Sequence, residues 1–184
     1  IDTGGGTKRR SGFRVIATRA RTLPDTVGAG MRLLVCGLNP SVYSADVGTG
    51  FARGGNRYWP AALAAGLVSR ARDPWDALRT HGVGMTDLVK RATARADELS
   101  PDEYREGMAR VGRLVEWLQP KAVCFVGLAG WRTAVDRKAV AGVQPEGLGG
   151  APVYARPSTS GPNANSSLDD LTAHLRAAMA LADS

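Results

Sequence analysis

Asn39 follows the apolar run Leu33-Leu34-Val35-Cys36-Gly37-Leu38 and precedes Pro40. An amide has no proton to exchange near neutrality, so this side chain is no general base. It can satisfy nearby backbone in a turn, or it can hold a water molecule or the hydrogen-bonding edge of a flat ligand. Pro40 stiffens the turn and removes a competing donor. Gly48 and Gly50 would let backbone approach such a ligand closely, and Phe51 offers a ring either to the core or to stacking. Asp87 brings a carboxylate near the end of a second apolar segment, 82–89. It could polarise an attacking water or stabilise a developing cation, or it could cap a turn and pair with Lys90 or Arg91. A third segment, Ser158-Thr159-Ser160-Gly161-Pro162-Asn163, is small and polar, as a loop against a ligand would be.

These residues need a scaffold that brings three loops to one edge. Residues 31–36, ending at Gly37, read as a buried strand. Segment 56–68 reads as a short helix with Pro60 at its first position. Segment 82–89 is extended, with Thr86 and Asp87 near its end. Ser100-Pro101-Asp102-Glu103 is a helix start with a reciprocal cap, and Tyr104, Met108, Val111, Val115 and Leu118 then share one face before Pro120. Residues 122–127 read as a second buried strand feeding a helix over 130–135. Residues 141–151 read as loop and 153–155 as a strand. Ser167 caps a last helix that buries Leu168, Leu171, Leu175 and Met179. Strands alternating with helices predict an α/β three-layer sandwich with a central, mainly parallel sheet of four to five strands. Ligands bind such sheets at the carboxyl ends of the strands, where Asn39, Asp87 and the 158–163 loop would meet.

Composition narrows the chemistry. The 184 residues suffice for one core, and no apolar run approaches the roughly 20 residues a membrane span needs. A cytoplasmic protein without membrane contact is the expectation. Cys36 and Cys124 lie in apolar runs and read as small core residues. With His81 and His174 they are too scattered to suggest a metal site, and no cofactor is expected. Neither the Walker phosphate loop nor the dinucleotide glycine pattern follows the first strand. The net charge of +7 is uneven: residues 1–32 carry +5 and the other 152 only +2. A basic, glycine-containing arm over 1–30, expected to be flexible, ahead of a domain over 31–184 points to a polyanion, or else to a solvated tail. Lys90, Arg91 and Arg95 add a basic stretch beside the expected rim. It is either a solvated face or a phosphate contact, each phosphate neutralised on duplex DNA adding about −0.9 to the log–log salt slope.

Gly37-Leu38-Asn39-Pro40, Thr49-Gly50-Phe51 and Asn56-Arg57-Tyr58-Trp59 resemble the mismatch-specific uracil-DNA glycosylases, relatives of the thymine-DNA glycosylases. The resemblance runs on through 82–100 and 122–131 to the 157–171 segment. It implies the fold of that superfamily and a monofunctional enzyme that flips uracil out of DNA, from G:U mispairs, and hydrolyses its N-glycosidic bond. It implies that Asn39 holds the attacking water and Phe51 stacks on the base. Backbone around Leu38 and Phe51 would read the base edge, and Ser44 would face its C5. Ser160, Gly161, Pro162 and Asn163 would lie against DNA, Pro162 standing where relatives carry a leucine wedge. Lys90 and Arg91 would meet phosphates. The implied partner is double-stranded DNA containing uracil, bound by a monomer. Asp87 is acidic where familiar relatives often are not. A catalytically weak module binding uracil or damaged DNA is the alternative, and a hydrolase of free nucleosides a more distant one.

Overall fold

The computed structural model describes residues 21–160 and 166–184. Five strands form one sheet in the order β2-β1-β3-β5-β4. They are β1 (Leu33–Gly37), β2 (Val83–Asp87), β3 (Ala122–Val126), β4 (Gly142–Val143) and β5 (Val153–Arg156). The first four in that order run parallel, and β4 lies antiparallel on β5. Six α-helices and one 3-10 turn (Ala96–Glu98) complete the described chain: α1 (Val42–Val47), α2 (Tyr58–Ala65), α3 (Pro74–His81), α4 (Pro101–Leu118), α5 (Leu128–Ala134) and α6 (Leu168–Asp183).

Both faces of the sheet are covered, which is why its strands are apolar without alternation. Leu33 and Val35 of β1 point into a core closed by Tyr58, Trp59, Leu171 and Leu175 of α2 and α6. Leu34 and Cys36 point the other way, onto Val111 and Val115 of α4 and Trp131 of α5. This is the three-layer sandwich that the sequence predicts. Cys36 and Cys124 are buried free thiols within it.

The helix starts follow local chemistry. Ser100 and Ser167 each accept from the amide three residues on, and Glu103 and Asp170 bond back to the cap amides. The expected buried stripe of α4 is present in full. Three details differ from expectation. Pro60 is the third residue of α2, because the Asn56 side chain accepts from the Tyr58 amide at 2.9 Å and starts the helix earlier. Leu168 is exposed at the start of α6, where Thr172 and Ala178 are buried instead. The glycine-rich 141–151 segment supplies the edge strand β4.

Residues 21–30, grouped by sequence with the arm, lie against the domain. Thr26 and Met85 exchange backbone hydrogen bonds of 2.9 and 2.7 Å across the open edge of β2, and Leu23 and Thr26 are buried. The rest of the arm, 1–20, falls outside the described residues.

Candidate functional site

The carboxyl ends of β1, β2 and β5 release three loops toward one edge of the sheet. A cleft of about 170 Å³ opens there, and Asn39, Ser44, Phe51, Asp87 and Ser160 all line it, together with Arg53 and Thr93. Residues far apart in sequence therefore meet at one place.

Asn39 is held by its amide nitrogen. Nδ2 donates to the Thr93 hydroxyl at 2.7 Å, the Arg91 carbonyl at 3.1 Å and the Pro40 carbonyl at 3.3 Å. Thr93 Oγ1 itself donates to the Arg95 carbonyl at 2.7 Å, so it can only accept from Asn39. Three acceptors thus fix which end of the amide is nitrogen, and Asn39 lines the cleft. Backbone bonds from Thr93 to Pro40 and from Val42 to Thr93 zip the two loops together around this contact. The amide satisfies the two loops through its nitrogen end, as the turn reading of Asn39 has it.

Ser41 caps α1, accepting from the Ser44 amide at 3.1 Å. Its hydroxyl also meets that of Ser44 at 3.0 Å, and the Ala52 amide donates to Ser44 Oγ at 3.3 Å. This network ties α1 to the loop bearing Phe51. Phe51 itself has φ of 57°, in the left-handed region that bulky side chains seldom occupy. Its ring stacks on Tyr58 with centroids 4.2 Å apart and 23° between planes, and the residue lines the cleft. Strain of this kind persists where surrounding packing holds it, often beside a site.

Asp87 ends β2 in register with Gly37 of β1. Only a glycine leaves room there, since a Cβ on residue 37 would lie 2.4 Å from Asp87 Oδ1 and 3.3 Å from Phe51 Cζ. The Asp87 carboxylate and the Phe51 ring therefore both lie close against Gly37. Burial pushes its pKa up to about 6. Lys90 pulls it down, Asp25 raises it and Arg110 lowers it further. Its side chain has no hydrogen bond or ion pair among the described residues.

Other predicted residues sit elsewhere or differently engaged. The Leu38 side chain packs against Gly130 of α5, away from the cleft lining. Lys90 pairs with Asp25 at 2.6 Å, and Arg91 pairs with Glu103 at 2.8 Å. Both cations are thus engaged within the protein, and neither pairs with Asp87, the carboxylate the sequence offered them. Ser158 and Ser160 bond hydroxyl to hydroxyl at 2.9 Å, and the Arg57 amide donates to the Thr159 carbonyl at 2.9 Å, anchoring the third loop to the start of α2. Gly161, Pro162 and Asn163 lie outside the described residues. Two polar lining residues were missed from sequence. Thr93 orients Asn39, and Arg53 is an exposed cation at the cleft with no ion-pair partner among the described residues. Neither lies in a pattern that marks it.

A family model described as the uracil DNA glycosylase superfamily matches residues 24–181. Among solved structures, the solution NMR structure of a candidate uracil DNA glycosylase from Methanosarcina acetivorans is similar over 88% of this chain and 97% of its own. Identity is 19% and the TM-score 0.60. At that identity the likeness establishes the fold.

Proposed function

The chain belongs to the uracil DNA glycosylase superfamily, and from that premise we propose that it is a monofunctional glycosylase acting on uracil in duplex DNA, at mispairs with guanine. The supporting observation is the convergence of Asn39, Ser44, Phe51, Asp87 and Ser160 on one cleft. A base in a duplex is shielded by stacking, so it must swing out before the glycosidic bond can be reached. Phe51 stacks on the extruded pyrimidine, and Ser44 bounds the wall that a thymine methyl would strike. Asn39 Oδ1 holds the attacking water. Asp87 polarises that water and offsets positive charge building on the sugar, while fixed backbone dipoles stabilise the departing base. Arg53 supplies a phosphate contact at the mouth. No lysine stands at position 39, so no Schiff-base step follows excision.

The test is a panel of duplexes carrying uracil, thymine or modified pyrimidines opposite each base, treated with alkali after incubation. Cleavage at uracil, strongest opposite guanine and weak at thymine, is the expected result. Retardation of uracil duplexes without cleavage would replace the enzyme by a binding module. Turnover of free uridine would replace it by a nucleoside hydrolase.

Gly37 offers an internal check. The methyl of Gly37→Ala must displace the Asp87 carboxylate or the Phe51 ring, because a 2.4 Å contact cannot be kept. Excision by this variant is expected to fall at least about tenfold, an order typical of losing acid–base help. Thermal melting should show the chain still folded. An active Gly37→Ala variant would mean that Asp87 has no set position in the reaction.

A further inference from the structure

The segment over 21–30 does more than cover the edge of β2. It carries Asp25 to the back of the cleft, where Asp25 Oδ1 accepts from Thr86 Oγ1 at 2.7 Å and from Lys90 Nζ at 2.6 Å. Oδ2 accepts from Arg110 Nη1 at 3.1 Å. Arg110 Nη2 donates in turn to Thr86 Oγ1 at 3.0 Å and to the backbone carbonyl of Asp87. Lys90 also bonds the Leu23 carbonyl. Two cations and two carboxylates thus share one partly buried corner, and both cations pair with the same carboxylate. A cavity of about 20 Å³ between this segment, Phe51 and Asp87 is the size of one water molecule.

We propose that Asp25 is a positioning residue for the reaction: by engaging Lys90 and Arg110 it leaves the Asp87 carboxylate unpaired and basic beside the cleft. The proposal rests on the reading of Asp87 given above. Arg53 and Arg95 line the same cleft as Asp87. Charged neighbours are Lys90 on the loop after β2, Arg110 on α4 and Asp25 on the edge segment. Cys36 on β1 is the other titratable neighbour, and burial pushes its thiol well above the ordinary range, so it stays neutral. The corner is balanced when both carboxylates are charged. Without Asp25, two positive charges face Asp87 alone, and opposite charges at such range lower a carboxyl pKa by about one to three units. A carboxylate held that way is a weaker base.

The experiment compares the full chain with Asp25→Asn, Asp25→Glu and Lys90→Met. It reads the carboxyl-carbon NMR titration of Asp87 and the pH profile of single-turnover excision. Asp25→Asn should move the Asp87 midpoint down by about one unit or more, shift the acid limb of the rate profile with it, and slow excision at pH 7 by about three- to tenfold. Asp25→Glu should restore all three. Lys90→Met, which subtracts a cation, should move the midpoint upward, and it keeps the idea testable should Asp25→Asn unfold. A merely structural Asp25 would change melting and leave the titration in place. Midpoints unmoved in the folded variants would overturn the proposal. Failure of the Asp87 reading shows separately, as Asp87→Asn excising normally while the NMR midpoints still respond to position 25.

Discussion

Asp87→Asn is expected to excise uracil at least about tenfold more slowly than the parent chain and at the same time to melt at a higher temperature. The two effects have one origin. Burial against Gly37 and Phe51 lifts the carboxyl to about 6, above the 3.8 it has when solvated. A group whose folded pKa is raised in this way stabilises the fold below about pH 4 and loses that contribution as pH rises through 6. At pH 7 the charged carboxylate costs up to about 3 kcal/mol, at 1.36 kcal/mol per unit. Asparagine keeps the shape without the charge. A gain of one to three kcal/mol corresponds to a rise in Tm of roughly 3 to 8 °C for a chain of this size, and it should fade as the melts are repeated toward pH 4. A carboxylate kept there only to cap a turn would stabilise the protein, and its removal would lower Tm. Single-turnover rates within a factor of two of the parent would remove Asp87 from the mechanism.

That cost also explains what could be read from the sequence and what could not. The strands β1 and β3 were legible because burial on both faces leaves runs such as Leu33 to Cys36 with no polar residue. The starts of α4 and α6 were legible because their caps are local. The edge strand β4 was not, since two residues in a glycine-rich stretch carry no period. Nor was the last residue of β5, Arg156, whose guanidinium is wholly buried with no hydrogen-bond partner among the described residues. An apolar run stops at a charge even where the strand continues. At the site, Asn39 and Phe51 were legible from the turn chemistry around them. Thr93 and Arg53 were not, because their roles depend on which loop lies across from them. The same holds for residues 21–30. Their basic neighbours suggested a tail, whereas Asp25 and Thr26 bind them to β2, and Leu23 to Lys90 just beyond it, through contacts 59 to 67 positions away.

Asn39→Ala is expected to lower the single-turnover rate of excision by roughly 100-fold, the order found when one oriented hydrogen-bonding group is removed from a transition state. Binding of uracil duplex should change by less than about threefold, since the stacking ring and the phosphate contacts remain in place. The reason lies in how the amide is held. Nδ2 is committed to Thr93, Arg91 and Pro40, so the amide is held in one orientation and a water on its oxygen would need little further ordering. Thr93→Val separates orientation from presence. It removes the 2.7 Å acceptor while leaving Asn39 and the shape of the loop, and it should cost about three- to tenfold in rate with binding unaltered. If Asn39 served only to close its turn, both variants would lower Tm and leave the rate of the folded fraction unchanged. Losses ordered Asn39→Ala, then Thr93→Val, then parent, at constant affinity, would tie the chemistry to the free oxygen of this one amide.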